Sequence, residues 1–293
     1  MINEGTVKYL FLINKIIFLV IITIYSLLVT KELQDINKNL RHAQDIFLPH
    51  KTFIEAHCGV NREIFQNTLE SFSKVIEYGI DSLKADVWLT KDNVLVLVHA
   101  NLMGSLKTYY NHSGNVIDLT YDELSTLGTV KDNLKMPKLN DLFKLAKNKI
   151  YIDLEINDFR VDLVFPKVVQ LIEEYDFFNQ LSLSSFHHEY YKKIEEYNYK
   201  NNKKLLFGFI YEINHKNPID FSKNGNTINI HGNEITKEIC ESAHKNGVGV
   251  VAWFGLNDKE TEENYKNLIE KGVDVIIANY PLIAKNVRDS YFK

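Results

Sequence analysis

Cysteine, proline and methionine are scarce: the 293 residues contain two, five and three of them. Two cysteines, Cys58 and Cys240, provide no disulfide framework and no zinc-finger spacing. Neither sign of charge dominates, since 34 Lys and Arg stand against 38 Asp and Glu for a net charge of −4. That balance gives no electrostatic case for a nucleic-acid partner or for an anionic membrane surface. What is present is ordinary for a globular chain, 45% hydrophobic and 25% charged. The length suits one α/β barrel or two smaller domains.

One apolar run is long. Residues 16–29 are interrupted only by Thr23, Tyr25 and Ser26, and with the stretch from Tyr9 the run approaches the roughly 20 residues that span a bilayer. Lys8 and Lys15 provide positive flanks, and no small-x-small pattern precedes Thr30. Residues 1–31 therefore read as a signal anchor, with a cleaved signal peptide or a buried helix as alternatives, and residues 32–50 as a spacer. The expected partner of this segment is a membrane. The short preceding tail favours a lumenal or extracellular main domain, and the sequon Asn111-His112-Ser113 is compatible with that.

From Lys51 onward, strand-like runs alternate with helical patterns. The runs lie at 53–57, 80–88, 94–99, 149–155, 180–184, 205–211, 226–230, 248–253 and 273–278. Helical patterns lie at 67–78, 138–147, 161–175, 187–199, 235–246, 258–271 and 281–289. This alternation predicts an α/β fold, a TIM-type (β/α)8 barrel over residues 51–289. Residues 100–137 break the rhythm and read as an insertion after the third run. Polar residues end several apolar runs, as they do where a barrel displays catalytic groups: His57, His99, Asp86 and Glu155. Lys91-Asp92-Asn93-Val94 reads as a two-residue turn with Asp92 and Asn93 at its centre, which would set Asp86 directly opposite His99.

These motifs resemble the glycerophosphodiester phosphodiesterase family, of the phospholipase-C-like kind. The family's His-Arg-Gly, Glu-Asn-Thr, Glu-Leu-Asp-Val-x-Leu-Thr-Lys-Asp-Gly and closing His-Asp correspond here to four segments. They are His57-Cys58-Gly59, Gln66-Asn67-Thr68, Lys84-Ala85-Asp86-Val87-Trp88-Leu89-Thr90-Lys91-Asp92-Asn93 and His99-Ala100. Later landmarks are Ile152-Asp153-Leu154-Glu155, Ser184-Ser185-Phe186, Ala252-Trp253 and Ala278-Asn279-Tyr280-Pro281. The resemblance implies hydrolysis of glycerophosphodiesters or lysophospholipids to an alcohol and a phosphomonoester. It implies His57 and His99 as acid and base, a task suited to a side chain that titrates near neutrality. It also implies a divalent cation, Mg²⁺ or Ca²⁺, with Asp86 and Glu155 matching two of its ligands.

Four positions depart from the pattern. Cys58 replaces the phosphate-gripping arginine, Lys84 a metal-binding glutamate, Ala100 an aspartate and Asn157 a lysine. An ammonium in place of a carboxylate repels a divalent ion by several kcal/mol at close range (roughly, at a dielectric near 20), and two carboxylates alone make a weak site. Three readings stay open. Asp86 and Glu155 still bind a metal, or Lys84 supplies the positive charge without one. The latter would resemble bacterial phosphatidylinositol-specific phospholipases, which use an arginine. In the third, the domain is a catalytically silent binding module. Lys84 and Asp86 share strand parity and hence a face. Cys58 reads as a small inert thiol, and Trp253 as a pocket-lining or barrel-packing residue.

Overall fold

A computed structural model describes residues 51–100, 102–214, 219–222 and 226–293. The expected signal anchor and spacer lie outside the described residues; within them, no helix is long and apolar enough to cross a membrane. Among the described residues, nine strands form one sheet: β1 (Phe53–Ala56), β2 (Ser82–Leu89), β3 (Leu95–Leu97), β4 (Tyr151–Ile156), β5 (Leu181–Ser185), β6 (Phe207–Ile210), β7 (Thr227–His231), β8 (Gly249–Trp253) and β9 (Val275–Ala278). All but β3 run parallel, and β1 pairs with both β9 and β2, which closes an eight-stranded barrel. The fold is the expected TIM barrel, with β3 as an antiparallel appendage to β2.

The barrel follows from the alternation within each strand. Ile54, Leu83, Ala85, Ile152, Leu154, Leu183, Ile228 and Val250 face outward into the main apolar core under the helices. The opposite parity points into the barrel. There a small apolar plug of Phe53, Tyr151, Leu206, Val251, Val275 and Ile277 fills part of the interior. Beside it, that parity carries the polar Glu55, Lys84, Asp86, Asp153 and Glu155, all buried. Helices return the chain between strands. Thr68 caps Leu69–Glu77 by accepting from the Ser71 amide, and Gly272 ends Glu262–Lys271 in a left-handed conformation at φ 88°.

The β2–β3 turn departs from the expected one. Val87 pairs with Leu97 and Leu89 with Leu95, so the partner of Asp86 is one residue short of His99. The cause is a three-residue loop, Lys91-Asp92-Asn93. It is closed by a hydrogen bond from the Thr90 amide to Val94, with Asn93 left-handed at φ 63°. Beyond β3, residues 102–136 form short helical turns around a separate apolar cluster that includes Trp88, Val98, Leu106, Tyr110 and Leu124.

Candidate active site

The polar residues gather at the C-terminal ends of the strands, around a cavity of about 760 Å³. His57, Lys84, Asp86, His99, Glu155 and Trp253 all line it. The sequence-selected residues therefore meet in one place. His57 follows β1, and its ring centroid lies 6.4 Å from that of His99. His99 sits beyond the end of β3. Free of the ladder, it turns its Nδ1 to within 3.4 Å of Asp86 Oδ2 despite the register shift.

Asp86 is the hub. Its Oδ2 accepts from Asn67 Nδ2 at 2.8 Å and from Cys58 Sγ at 3.0 Å, and its Oδ1 from Asn157 Nδ2 at 3.3 Å. Asn67 in turn accepts from the Asp86 amide. Burial opposes ionisation, but the neighbouring His99, the Cys58 hydrogen bond and Lys84 outweigh it and hold the carboxyl below its usual range. The Cys58 thiol is pushed well up, first by burial and then by Asp86. That makes it a hydrogen-bond donor rather than a nucleophile.

His57 is held from behind. Asn279 donates its amide protons to the Gly255 carbonyl and to Glu260, so its Oδ1 faces His57 Nδ1 at 3.0 Å. Nδ1 therefore carries the ring proton and Nε2 is an acceptor. Burial lowers the His57 pKa to about 4. An imidazole so shifted is neutral near pH 7.

Lys84 points inward and is only 3% exposed. Its Nζ lies 2.9 Å from Asp153 Oδ2, 2.9 Å from Glu155 Oε2 and 3.0 Å from Ser184 Oγ. Those three partners use all its protons. Burial disfavours the ammonium, yet Asp153, Glu155 and Glu55 outweigh it and raise Lys84 well above its usual range. Glu155 is raised, chiefly by burial. Glu55, beneath them, is raised to about 8 by burial and by Asp153.

Asp153, Ser184, Glu55, Asn67 and Asn279 complete the site and had no assigned role in the sequence reading. Four of them (Asn67, Asp153, Ser184 and Asn279) lie inside the quoted motifs, and only Glu55 stands outside. Trp253 lines the cavity with its ring 5.0 Å from that of His231.

A barrel that gathers two histidines and buried carboxylates at the C-terminal ends of its strands has the layout of a barrel enzyme's active site. The chain matches the glycerophosphoryl diester phosphodiesterase family model over residues 57–283 and belongs to that family. A glycerophosphodiester phosphodiesterase of Caldanaerobacter subterraneus is 28% identical over 244 residues, 79% of this chain and 95% of that protein. Lysophospholipase D GDPD1 of Homo sapiens is 30% identical over 135 residues, 41% of each. A crystal structure of a putative glycerophosphodiester phosphodiesterase from Galdieria sulphuraria superposes with a TM-score of 0.74 at 24% identity. That match covers 82% of this chain and 98% of the other.

The family is typically dependent on a divalent cation. The residues here do not fit a hard ion in the family manner. Glu155 Oε2 is already in contact with the Lys84 ammonium, and the third carboxylate of the set has become that ammonium. Asp86 instead shares a donor cluster with Cys58 and His99, whose ligand atoms lie within 4.8 Å of one another.

Proposed function

We propose that the chain hydrolyses a glycerophosphodiester or lysophospholipid by acid–base catalysis through His57 and His99, without the family's hard cation. The observation that carries this reading is the geometry of the pair: His57, its Nδ1 held by Asn279, across the cavity from an Asp86-held His99. His57 Nε2 takes a proton from the attacking water as its oxygen bonds to phosphorus. As the phosphorus–oxygen bond to the alcohol breaks, a protonated His99 gives its proton to the leaving oxygen, and exchange with solvent resets both rings. Asp86 keeps the His99 ring in place. Lys84 is the built-in cation, offsetting Asp153 and Glu155 under the phosphate so that the cavity floor is less repulsive to an anion.

The mouth favours a substrate with an acyl chain. Met103, Phe159, Phe186 and Ile213 line the cavity and are 54%, 42%, 39% and 50% exposed. Exposed apolar side chains above a polar floor suit a lysophospholipid better than a water-soluble glycerol headgroup alone. A signal anchor at residues 1–31 would hold such a barrel beside its lipids, with the main domain lumenal or extracellular.

The test is turnover by the full chain of glycerophosphocholine, glycerophosphoinositol and lysophosphatidylcholine, with Mg²⁺, with Ca²⁺ and with EDTA. The expected result is EDTA-resistant release of choline, fastest from lysophosphatidylcholine. His57→Ala and His99→Ala should each lower the rate by about 10²–10⁴-fold. Chelator-sensitive turnover would restore the hard cation. No turnover from folded protein would make the barrel a silent binding module.

A further inference from the structure

We infer that Cys58, Asp86 and His99 form a binding site for a borderline-soft divalent cation of the zinc type, with one coordination position open to the cavity. The pairwise separations are Cys58 Sγ to Asp86 Oδ2 3.0 Å, Asp86 Oδ2 to His99 Nδ1 3.4 Å, and Cys58 Sγ to His99 Nδ1 3.9 Å. A tetrahedral Zn²⁺ has bonds of about 2.3 Å to sulfur and about 2.0–2.2 Å to nitrogen and oxygen. Its ligand atoms then stand about 3.5 Å apart, and the three separations bracket that value. An ion at their centre needs shifts of a few tenths of an ångström and no change of chain path.

The surroundings are those of a prepared site. The three donors come from three separate segments, the turn after β1, strand β2 and the exit from β3. Cys58 is aimed at Asp86 by a left-handed backbone at φ 56°, an uncommon state for a residue with a side chain. The following Gly59, at φ 96°, packs so tightly on Ser71 that a Cβ would lie 2.2 Å from its Oγ. Asn67 and Asn157 hold the Asp86 carboxylate from outside the donor set, as partners of metal-binding carboxylates do. Asp86 and His99 line the cavity, so the fourth position opens towards it. Thiolate, carboxylate and neutral imidazole together carry two negative charges and neutralise the ion. Binding expels the thiol proton of Cys58 and any proton on His99 Nδ1. A thiol and an imidazole select Zn²⁺ over Mg²⁺ or Ca²⁺.

Metal on His99 Nδ1 withdraws that ring from proton transfer, so zinc should inhibit the hydrolysis proposed above. This consequence rests on that reading; the binding itself does not.

The experiment is a Co²⁺ titration of the full chain, reduced and stripped with chelator, read by its electronic spectrum without substrate. The expected outcome is one equivalent of Co²⁺ with a thiolate-to-cobalt charge-transfer band in the near ultraviolet, displaced by Zn²⁺ and not by Mg²⁺. The band should persist in Cys240→Ser, vanish in Cys58→Ser and need about tenfold more Co²⁺ in Asn67→Ala. X-ray absorption of the zinc-loaded natural protein needs no variant and should find one sulfur among nitrogen and oxygen neighbours. Absence of the band, its loss in Cys240→Ser alone, or a sulfur-free zinc shell would each overturn the site. Because these readouts use no substrate, they fail independently of the phosphodiesterase assays.

Discussion

Lys84 shows how one side chain can take over the charge balance of a cavity floor. Its ammonium lies between Asp153 and Glu155 with all three protons donated, nearly out of contact with water. Removing one member of a buried ion cluster costs more than the cluster contributes, because the partners stay buried and uncompensated. Lys84→Met should therefore lower stability by about 3–5 kcal/mol, read as the urea midpoint. A loss below 1 kcal/mol would mean the two carboxylates had simply taken up protons. Glu55 gives a second test at the same depth. One of its oxygens accepts from Ser82 and the other has no partner, and its folded pKa is about 8 against 4.5. The native state thus keeps a proton that the unfolded chain releases. Its stabilising contribution is whole below pH 4.5 and is lost as pH rises through about 8. His57 acts in the opposite sense, since its folded pKa is about 4 against 6.5: stability is present above pH 6.5 and is lost as pH falls towards 4. Glu55→Gln should flatten the alkaline fall by about 1 kcal/mol per pH unit between pH 5 and 8, while leaving the acid limb unchanged. An unaltered alkaline limb would assign the slope to another group.

The β2–β3 hairpin is where a local element decides how the site is assembled. Its three-residue loop needs Asn93 at φ 63°, a conformation that asparagine tolerates and glycine adopts freely. Asn93→Gly should change stability by less than about 1 kcal/mol, because relief of the left-handed strain is set against glycine's greater freedom in the unfolded chain. Asn93→Val should lower it by about 1–2 kcal/mol, and thermal melts of both variants would check the sign. The same loop marks the limit of what the sequence discloses. The nine strand runs and seven long helices were legible because alternation and 3.6-residue periodicity are written along the chain. The turn's length was not, because Lys91-Asp92-Asn93 serves a two-residue or a three-residue loop equally well. His57, Asp86, His99, Lys84 and Glu155 were legible as motif positions, and strand parity alone placed Lys84 beside Asp86. Their partners were not. Asp153 and Ser184 meet Lys84 from 69 and 100 residues away through the parallel register of three strands. Asn279 reaches His57 across 222 residues, where the barrel closes.

Closure is the property of the whole molecule, and its seam is held by one buried cation. The C-terminal helix Pro281–Tyr291 packs against β1 and β9 and carries Arg288, 2% exposed. Its guanidinium meets the Asp81 carboxylate just before β2 and the Thr52 carbonyl just before β1. Asp81 also accepts from the Ile54 amide at 2.9 Å, so one carboxylate joins the first strand, the second strand and the last helix. Parallel strands β1 and β2 are paired through only two residues on each side, which leaves the seam dependent on this cluster. Arg288→Ala would remove a charged hydrogen-bond partner from the half-buried Asp81, a loss of about 1.5–3 kcal/mol. Arg288→Lys, which keeps the charge without the planar fork, should recover only part of it. Trp88 lies on β2 and Trp253 on β8, three strands apart on either side of the seam, so tryptophan fluorescence reports the barrel around the seam while circular dichroism reports the whole. If the seam is part of one cooperative unit, both probes should move to lower urea together in Arg288→Ala. A fluorescence transition that precedes the loss of secondary structure would instead show the seam opening locally, and a shift under 1 kcal/mol would place closure in the strand ladder.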